Sequence, residues 1–267
     1  MNMHWDCETL WERVVAMLPG FTVEVLPQVD STNSELMRRA RAGQLEPVLL
    51  IAEHQTAGRG RLGREWLGGV EAAGPSGLTF SLGMPFAPPD WSGLSLAVGL
   101  SLAQSLHPDI RLKWPNDLWL HGRKLAGILI ETTAVNSVRY VVIGAGINIV
   151  KPGVTGLSTA PAWLQELQPA WDARQALGQL FAPLVQTLLS FEQTGFEPFR
   201  TTFNALDALA NTAVRLSDGT TGVAQGVDRL GALQVLTRQG LQKISSAEVS
   251  VRPSLGPTNH QEAPTPC

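Results

Sequence analysis

Residues 57–66 read AGRGRLGREW, and the fold turns on how this stretch is read. Gly58, Gly60 and Gly63 meet the spacing of a dinucleotide-binding turn, which would make the chain a doubly wound parallel α/β protein. That turn needs its last glycine inside a helix packed on the sheet. Here Gly63 is followed by Arg64, Glu65 and Trp66 and then by a glycine-rich stretch, 67–77, and no helical pattern begins. The dinucleotide reading fails in this context. The glycines let the backbone approach a ligand, and Arg59, Arg61 and Arg64 supply guanidinium groups that hold carboxylate and phosphate oxygens bidentately. A solvated basic surface loop is the alternative that the stretch alone leaves open.

Outward from the loop, VLLIAEH (48–54) is a continuous apolar run, the pattern of a buried strand that delivers the chain to the arginines. FTVEVL (21–26) alternates like a strand, and LTFSL (78–82) and IRLKW (110–114) are further strand candidates. Leu10, Trp11, Val14, Val15 and Leu18 recur at helical spacing until Pro19-Gly20, and WSGLSLAVGLSLAQSL (91–106) reads as an apolar helix. His121-Gly122 sits between LWL and KLAGILIET as a hairpin turn, and VRYVVIGAGINIV (138–150) is expected to pair with that hairpin. Residues 171–195 read as a helix that Pro183 should kink or split, since an interior proline costs about 3 kcal/mol. A last helix is expected over 196–209. From Ala213 the pattern changes to short alternating runs separated by Asp-Gly, Leu-Gly and Gln-Gly, the mark of a small all-β unit. A boundary is therefore expected near 211, giving domains 1–210 and 211–252. The Pro-rich polar tail, 253–267, is expected to be disordered.

At 44% hydrophobic and 16% charged, the 267 residues suit a globular protein with a sizeable core. The net charge of −3 gives no bulk reason to bind nucleic acid, so any anion site is local. Cys7 and Cys267 lie near opposite ends and form no disulfide framework, and the histidines have no metal-ligand spacing. Neither a secretory signal nor a run of about 18 apolar residues is present, so a cytoplasmic protein with no membrane partner is expected. Serine hydrolase, zinc hydrolase and Walker-loop signatures are absent.

Four further motifs read two ways each. In VDSTNSEL (29–36), Thr32 and Glu35 form a capping box with Thr32 as N-cap, yet a helix N-terminus also offers N–H groups and hydroxyls to a polar ligand. KWPNDLWL (113–120) is ordinary turn chemistry, or else Asp117 is a base or the partner of a cation. Lys124, where the hairpin returns into a strand, is a surface lysine or a point charge for phosphate. Gly144 and Gly146 mark a bulge or tight packing, or the close approach of a planar ligand.

The motifs resolve one another by their order. Ser31-Thr32-Asn33, then Gln55-x-x-Gly-Arg-Gly-Arg-x-Gly-Arg-x-Trp66, Lys113-Trp-Pro-Asn-Asp117, Arg123-Lys-Leu-Ala-Gly-Ile-Leu129 and Gly144-x-Gly-Ile-Asn148 resemble the biotin protein ligases over roughly residues 28–252. The resemblance implies an α/β fold with a mixed β-sheet and flanking helices, of the class II synthetase type, followed by an SH3-like small β-barrel. It implies activation of biotin with ATP and Mg²⁺ to biotinyl-5′-AMP, and transfer to one lysine of a biotin carboxyl carrier protein or domain. It places biotin contacts on Ser31, Thr32, Asn33, Gln55, Arg59, Gly60, Arg61, Lys124, Gly127 and Gly144. ATP or adenylate contacts fall on Arg59, Arg61, Arg64, Trp66, Lys113, Asn116, Lys124 and Asn148, and catalytic roles on Lys124, Arg61 and Asp117. Asp117 would orient or deprotonate the acceptor lysine, and no protein-ligated metal is implied. The family's arginine loop closes over its ligands. Two departures stand out: the longer segment 67–77 with its Glu71, and only 30 residues before Ser31, too few for the winged helix-turn-helix of regulatory members. No specific DNA binding is therefore expected, while a homodimer is left open. A lipoate or octanoate ligase of the same fold and a non-enzymatic biotin-binding module are the alternatives, separated by which acid drives ATP turnover.

Overall fold

The computed structural model describes residues 5–66, 70–71, 74–153, 159–245 and 251–253. Helix α1 (Cys7–Glu12) is capped by Asp6, whose carboxylate accepts from Thr9 N, and the chain then continues in turns as far as Pro19. The expected apolar stripe survives the early end of the helix: Leu10, Val14 and Leu18 are buried, while Trp11 lies outside and donates its indole N–H to Phe21 O. Strand β1 (Thr22–Leu26) leads to α2 (Thr32–Arg41) and β2 (Val48–Ala52). After the arginine loop come two short paired strands, β3 (Val70–Glu71) and β4 (Gly74–Pro75), within the segment whose conformation the sequence left open. Next are β5 (Gly77–Pro85), α3 (Leu94–Leu106), β6 (Arg111–Lys113), β7 (Asp117–Leu120), β8 (Arg123–Val135) and β9 (Val138–Asn148). Helices α4 (Ala173–Thr194) and α5 (Arg200–Leu206) follow.

These strands form one seven-stranded mixed sheet in the order β1-β2-β5-β9-β8-β7-β6. Only β1 and β2 are parallel, joined by the crossover helix α2; the other pairs are antiparallel. The β7–β8 hairpin turns at His121 (φ 49°) and Gly122 (φ 75°), the two left-handed residues of the turn that matches strand twist. Every side chain of β2 is buried because the sheet is covered on both faces. Leu49 and Ile51 join the large core with Phe80, Phe181 and Leu184, whereas Val48 and Leu50 meet Leu36, Met37, Tyr140 and Val142 in a smaller core beneath α2.

Pro183 does not split α4, which runs unbroken for 22 residues. The carbonyl it leaves without a helical partner belongs to Gln179, an exposed residue that water can satisfy, while Leu180, Phe181, Leu184 and Val185 bury the opposite face. The last helix is shorter than expected: a 3₁₀ turn over Glu197–Phe199 precedes α5. Strands β10 (Ala213–Leu216), β11 (Thr221–Val227), β12 (Leu233–Thr237), β13 (Gly240–Ile244) and β14 (Val251–Pro253) make a separate antiparallel sheet in the order β13-β12-β11-β10-β14. It is tied to the larger sheet by Trp114 Nε1 donating to Gly231 O at 3.1 Å and by Asn204 bracketing Val227. Beyond Pro253, the tail lies outside the described residues. No described helix is long and apolar enough to cross a membrane.

Candidate active site

Strand register builds the floor of the site. Lys113, Asp117, Gly127, Gly146 and Thr79 face one another across five adjacent strands, and Gly144 lies opposite Ser81 and Leu129 on the same face. The glycines leave a flat surface because side chains alternate strictly along a strand. Trp66 lies on it: a Cβ on Gly146 would strike the indole, and one on Gly127 would sit 3.5 Å from its ring. A register shift between β7 and β8 then re-aims Lys124, which would otherwise point into the core with Ala126. Its Nζ reaches Asp117 Oδ1 at 2.7 Å and stands 5.9 Å from the centre of the Trp66 ring. The Lys124 backbone is clamped from outside, donating to Ala160 O and accepting from Ala162 N. Asn148 fixes the same crossing through Nδ2 to Ala162 O at 2.9 Å.

The N-terminus of α2 forms the end wall. Ser31, not Thr32, is the N-cap: Ser31 Oγ accepts from Ser34 N, and Glu35 turns outward to Arg38 and Arg39. The expected capping box is therefore corrected, because Thr32 is needed inside. Its N–H donates to Gln55 Oε1 at 2.8 Å and its hydroxyl lies 2.7 Å from Ser81 Oγ. Asn33 Oδ1 accepts from Ser81 Oγ at 2.7 Å, while its Nδ2 donates to Leu129 O at 3.2 Å and to Glu131 Oε2 at 3.0 Å. All four polar side chains, Ser31, Thr32, Asn33 and Ser81, are buried, and mutual hydrogen bonding makes that burial tolerable.

The arginine loop folds back on itself as a narrow hairpin. Gly60 N donates to Arg64 O at 2.7 Å and Trp66 N to Gly58 O at 2.9 Å, around a 3₁₀ turn at Arg61–Gly63 with Leu62 left-handed. Gly58 is required here, since a Cβ would collide with the Trp66 carbonyl. Arg61 Nη1 donates to Asn116 Oδ1 at 3.3 Å, and Asn116 is anchored by Nδ2 to Ile128 O at 2.8 Å. Burial lowers the Arg61 proton affinity; the Asp117 carboxylate opposes this and the neighbouring Arg64 charge adds to it. Arg59 faces elsewhere, with Nη2 on Glu131 Oε1 at 3.0 Å and Nη1 on Ser34 Oγ at 3.1 Å.

The fold thus gathers Arg61, Trp66, Asn116, Asp117, Lys124, Gly127, Gly144 and Asn148 around one glycine floor, with Ser31, Thr32, Asn33 and Gln55 at its end. Lys113 lies one strand further out, with Nζ 5.1 Å from the centre of the Trp119 ring, and Arg64 is on the exposed rim. Sequence reading missed Ser81, Ser34 and Glu131. Ser81 sits in an unremarkable apolar strand; only register places it opposite Gly144. Trp163, between Arg123 and Lys151 at 5.7 and 5.9 Å, is a further aromatic beside the Asn148 clamp.

A site of this shape defines a class before it defines a member. Residues 25–148 match the biotin/lipoate A/B protein ligase family, and residues 211–252 match the biotin protein ligase C-terminal domain. The bifunctional ligase/repressor BirA of Escherichia coli is 37% identical over 257 residues, spanning 90% of this chain and 77% of that protein. The biotin–[acetyl-CoA-carboxylase] ligase of Paracoccus denitrificans is 33% identical over 84% of this chain and 98% of its own length. A solved biotin protein ligase from Aquifex aeolicus, in complex with biotin and ATP, superimposes with a TM-score of 0.73 at 28% identity, covering 87% of this chain and 99% of that one. The chain belongs to the biotin protein ligase family.

Proposed function

We propose that this site joins the carboxylate of biotin to the α-phosphate of ATP and then passes biotin to a lysine of a biotin carboxyl carrier protein. In the first step a carboxylate oxygen bonds to the α-phosphorus, the bond to the bridging oxygen breaks, and pyrophosphate leaves with the electron pair. In the second, the acceptor amine attacks the acyl carbon of biotinyl-5′-AMP, loses a proton, and AMP departs. The observation that carries this reading is the convergence of Arg61 and Lys124 over a glycine floor. Two anions must meet there, and preorganised cations offset their repulsion and the charge that develops in the transition state.

Ser31, Thr32, Asn33 and Gln55 would meet the polar ring of biotin, with Gly60, Gly127 and Gly144 leaving room for its flat body. Trp66, Asn116 and Asn148 would flank the adenylate, with Lys113 and Arg64 at its outer edge. Asp117, which here accepts from Lys124, would receive the acceptor lysine when Lys124 turns to phosphate. Mg²⁺ would arrive on the nucleotide and neutralise its phosphates. We further propose a catalytic unit over 1–210, a carboxy-terminal unit over 211–252, a cytoplasmic location and no operator recognition. Gel shifts at physiological salt address the last of these, and a specific shift at nanomolar protein overturns it.

The direct test is biotin-dependent exchange of labelled pyrophosphate into ATP. Exchange with biotin alone supports the assignment; equal exchange with lipoate or octanoate sinks it, and biotin binding without exchange indicates a non-enzymatic module.

A further inference from the structure

The Glu131 carboxylate has no place in the chemistry above, yet it is the most connected acid at the site. Oε1 accepts from Arg59 Nη2 at 3.0 Å, and Oε2 accepts from Asn33 Nδ2 at 3.0 Å and lies 3.5 Å from Arg59 Nη1. Asn33 is 3% exposed and held on its other side by Ser81, so Glu131 links a fixed point in the wall to a loop that carries Trp66 and Arg61. Arg59 and Arg61 are two residues apart but serve different ends of the site: one reaches β8 and α2, the other the turn before β7. A carboxylate with both oxygens turned to a guanidinium also repels any second anion there.

We propose that Glu131 is a positioning residue that latches the arginine loop: it ties Arg59 to Asn33, so that loop closure and the end wall of the slot are set together. The Arg59 guanidinium then serves the latch, and Arg61 and Lys124 serve the bound anions. This assignment rests on the biotin-ligase reading of the site for its catalytic consequence, but not for the latch itself.

Two measurements separate these. Limited trypsinolysis of the full ligand-free chain reads loop opening directly, since Arg61 and Arg64 are cleavage points within it. Glu131→Gln keeps an acceptor for Asn33 and removes the charge, and should speed cleavage after Arg61 and Arg64 by about three- to five-fold, the scale of a partly exposed ion pair. Arg59→Gln removes the same pair together with the bond to Ser34 Oγ and should speed it at least as much, and adding Glu131→Gln to it should change nothing further, because the Arg59–Glu131 interaction is already gone. In the second measurement, with biotin and ATP, the same variants should raise KM for biotin and the escape rate of biotinyl-5′-AMP by a similar factor, the loss falling on KM rather than kcat. Unchanged cleavage in Glu131→Gln, additive effects in the double variant, or collapse of kcat in Arg59→Gln while Glu131→Gln behaves as wild type each overturn the latch. Should Glu131→Gln fail to fold, Arg59→Gln at the exposed end of the pair carries the same cleavage expectation and the same refutation. If wild-type protein makes no biotinyl-5′-AMP, the functional reading fails while the trypsin measurement still decides the latch.

Discussion

Replacing Gly144 by alanine is the sharpest probe of the slot. The backbone there is an ordinary strand, so alanine meets no conformational objection. Its Cβ, however, would overlap Asn33 Oδ1, lie 2.9 Å from Asn33 Cγ and stand 3.3 Å from Ser81 Oγ. Asn33 cannot simply yield. Its amide spends Oδ1 on Ser81 and Nδ2 on Leu129 O and Glu131, inside a wall with almost no exposure. Restoring van der Waals distance requires the carboxamide to move by about 1 Å or more, which breaks the Ser81 bond and at least one Nδ2 bond. Two buried hydrogen bonds lost, with partners left unsatisfied, amount to about 2–4 kcal/mol. For a chain of this size that lowers Tm by about 5–15 °C, and the displaced amide should weaken biotin binding by about tenfold or more. Calorimetric melting and biotin titration of Gly144→Ala measure both. Gly178→Ala in α4 is the control: nothing lies within 4 Å of its Cβ, and a helical Gly→Ala change should be neutral or stabilise by up to about 1 kcal/mol. A Gly144→Ala protein with wild-type Tm and biotin affinity would refute the account of Asn33 as a fixed wall.

Lys124→Ala should cut the rate of biotinyl-5′-AMP formation by about 10²–10³-fold, the usual effect of losing one preorganised charge-stabilising group, and wild-type single-turnover rates would show that Lys124 only pairs with Asp117. Burial pushes the Asp207 carboxyl up to about 6, against the pull of its bond from Leu209 N, and its Oδ2 meets no hydrogen-bond partner among the described residues. The unfolded chain ionises near 3.8, so the acid's contribution to stability is fully present below that pH and is lost as pH rises through about 6. Asp207→Asn should therefore be the more stable protein at pH 7 by up to about 3 kcal/mol and converge on wild type near pH 4. Parallel denaturation curves for the two proteins at pH 4 and 7 would count against a buried, charge-averse Asp207.

Much of the fold was legible because its signals are local. The strand-like residues described after Gly63, the buried run at 48–54 and the hairpin turn at His121-Gly122 are properties of short stretches, and the described residues adopt each as read. The early end of α1, the shift of the α2 cap from Thr32 to Ser31 and the survival of α4 through Pro183 were not legible. The cap was settled across the chain, where Gln55 and Ser81 claim the Thr32 hydroxyl, and α4 tolerates Pro183 where Gln179, whose carbonyl it frees, is exposed to water.

The sequence by itself pointed to the chemistry the chain carries, because the arginine loop, the Lys-Trp-Pro-Asn-Asp turn and the Lys124 strand, each open to two readings alone, follow one another in an order that resembles the biotin protein ligases. Only the tertiary structure decided how that chemistry is aimed. A bulge one residue long turns Lys124 from the core to Asp117, and strand register sets Gly127 against Gly146 beneath Trp66. It also brings Glu131, 98 residues from Asn33, within hydrogen-bonding distance of it. Side-chain direction alternates with every residue of a strand, so a single step of register reverses it, and register is fixed by packing across the whole sheet.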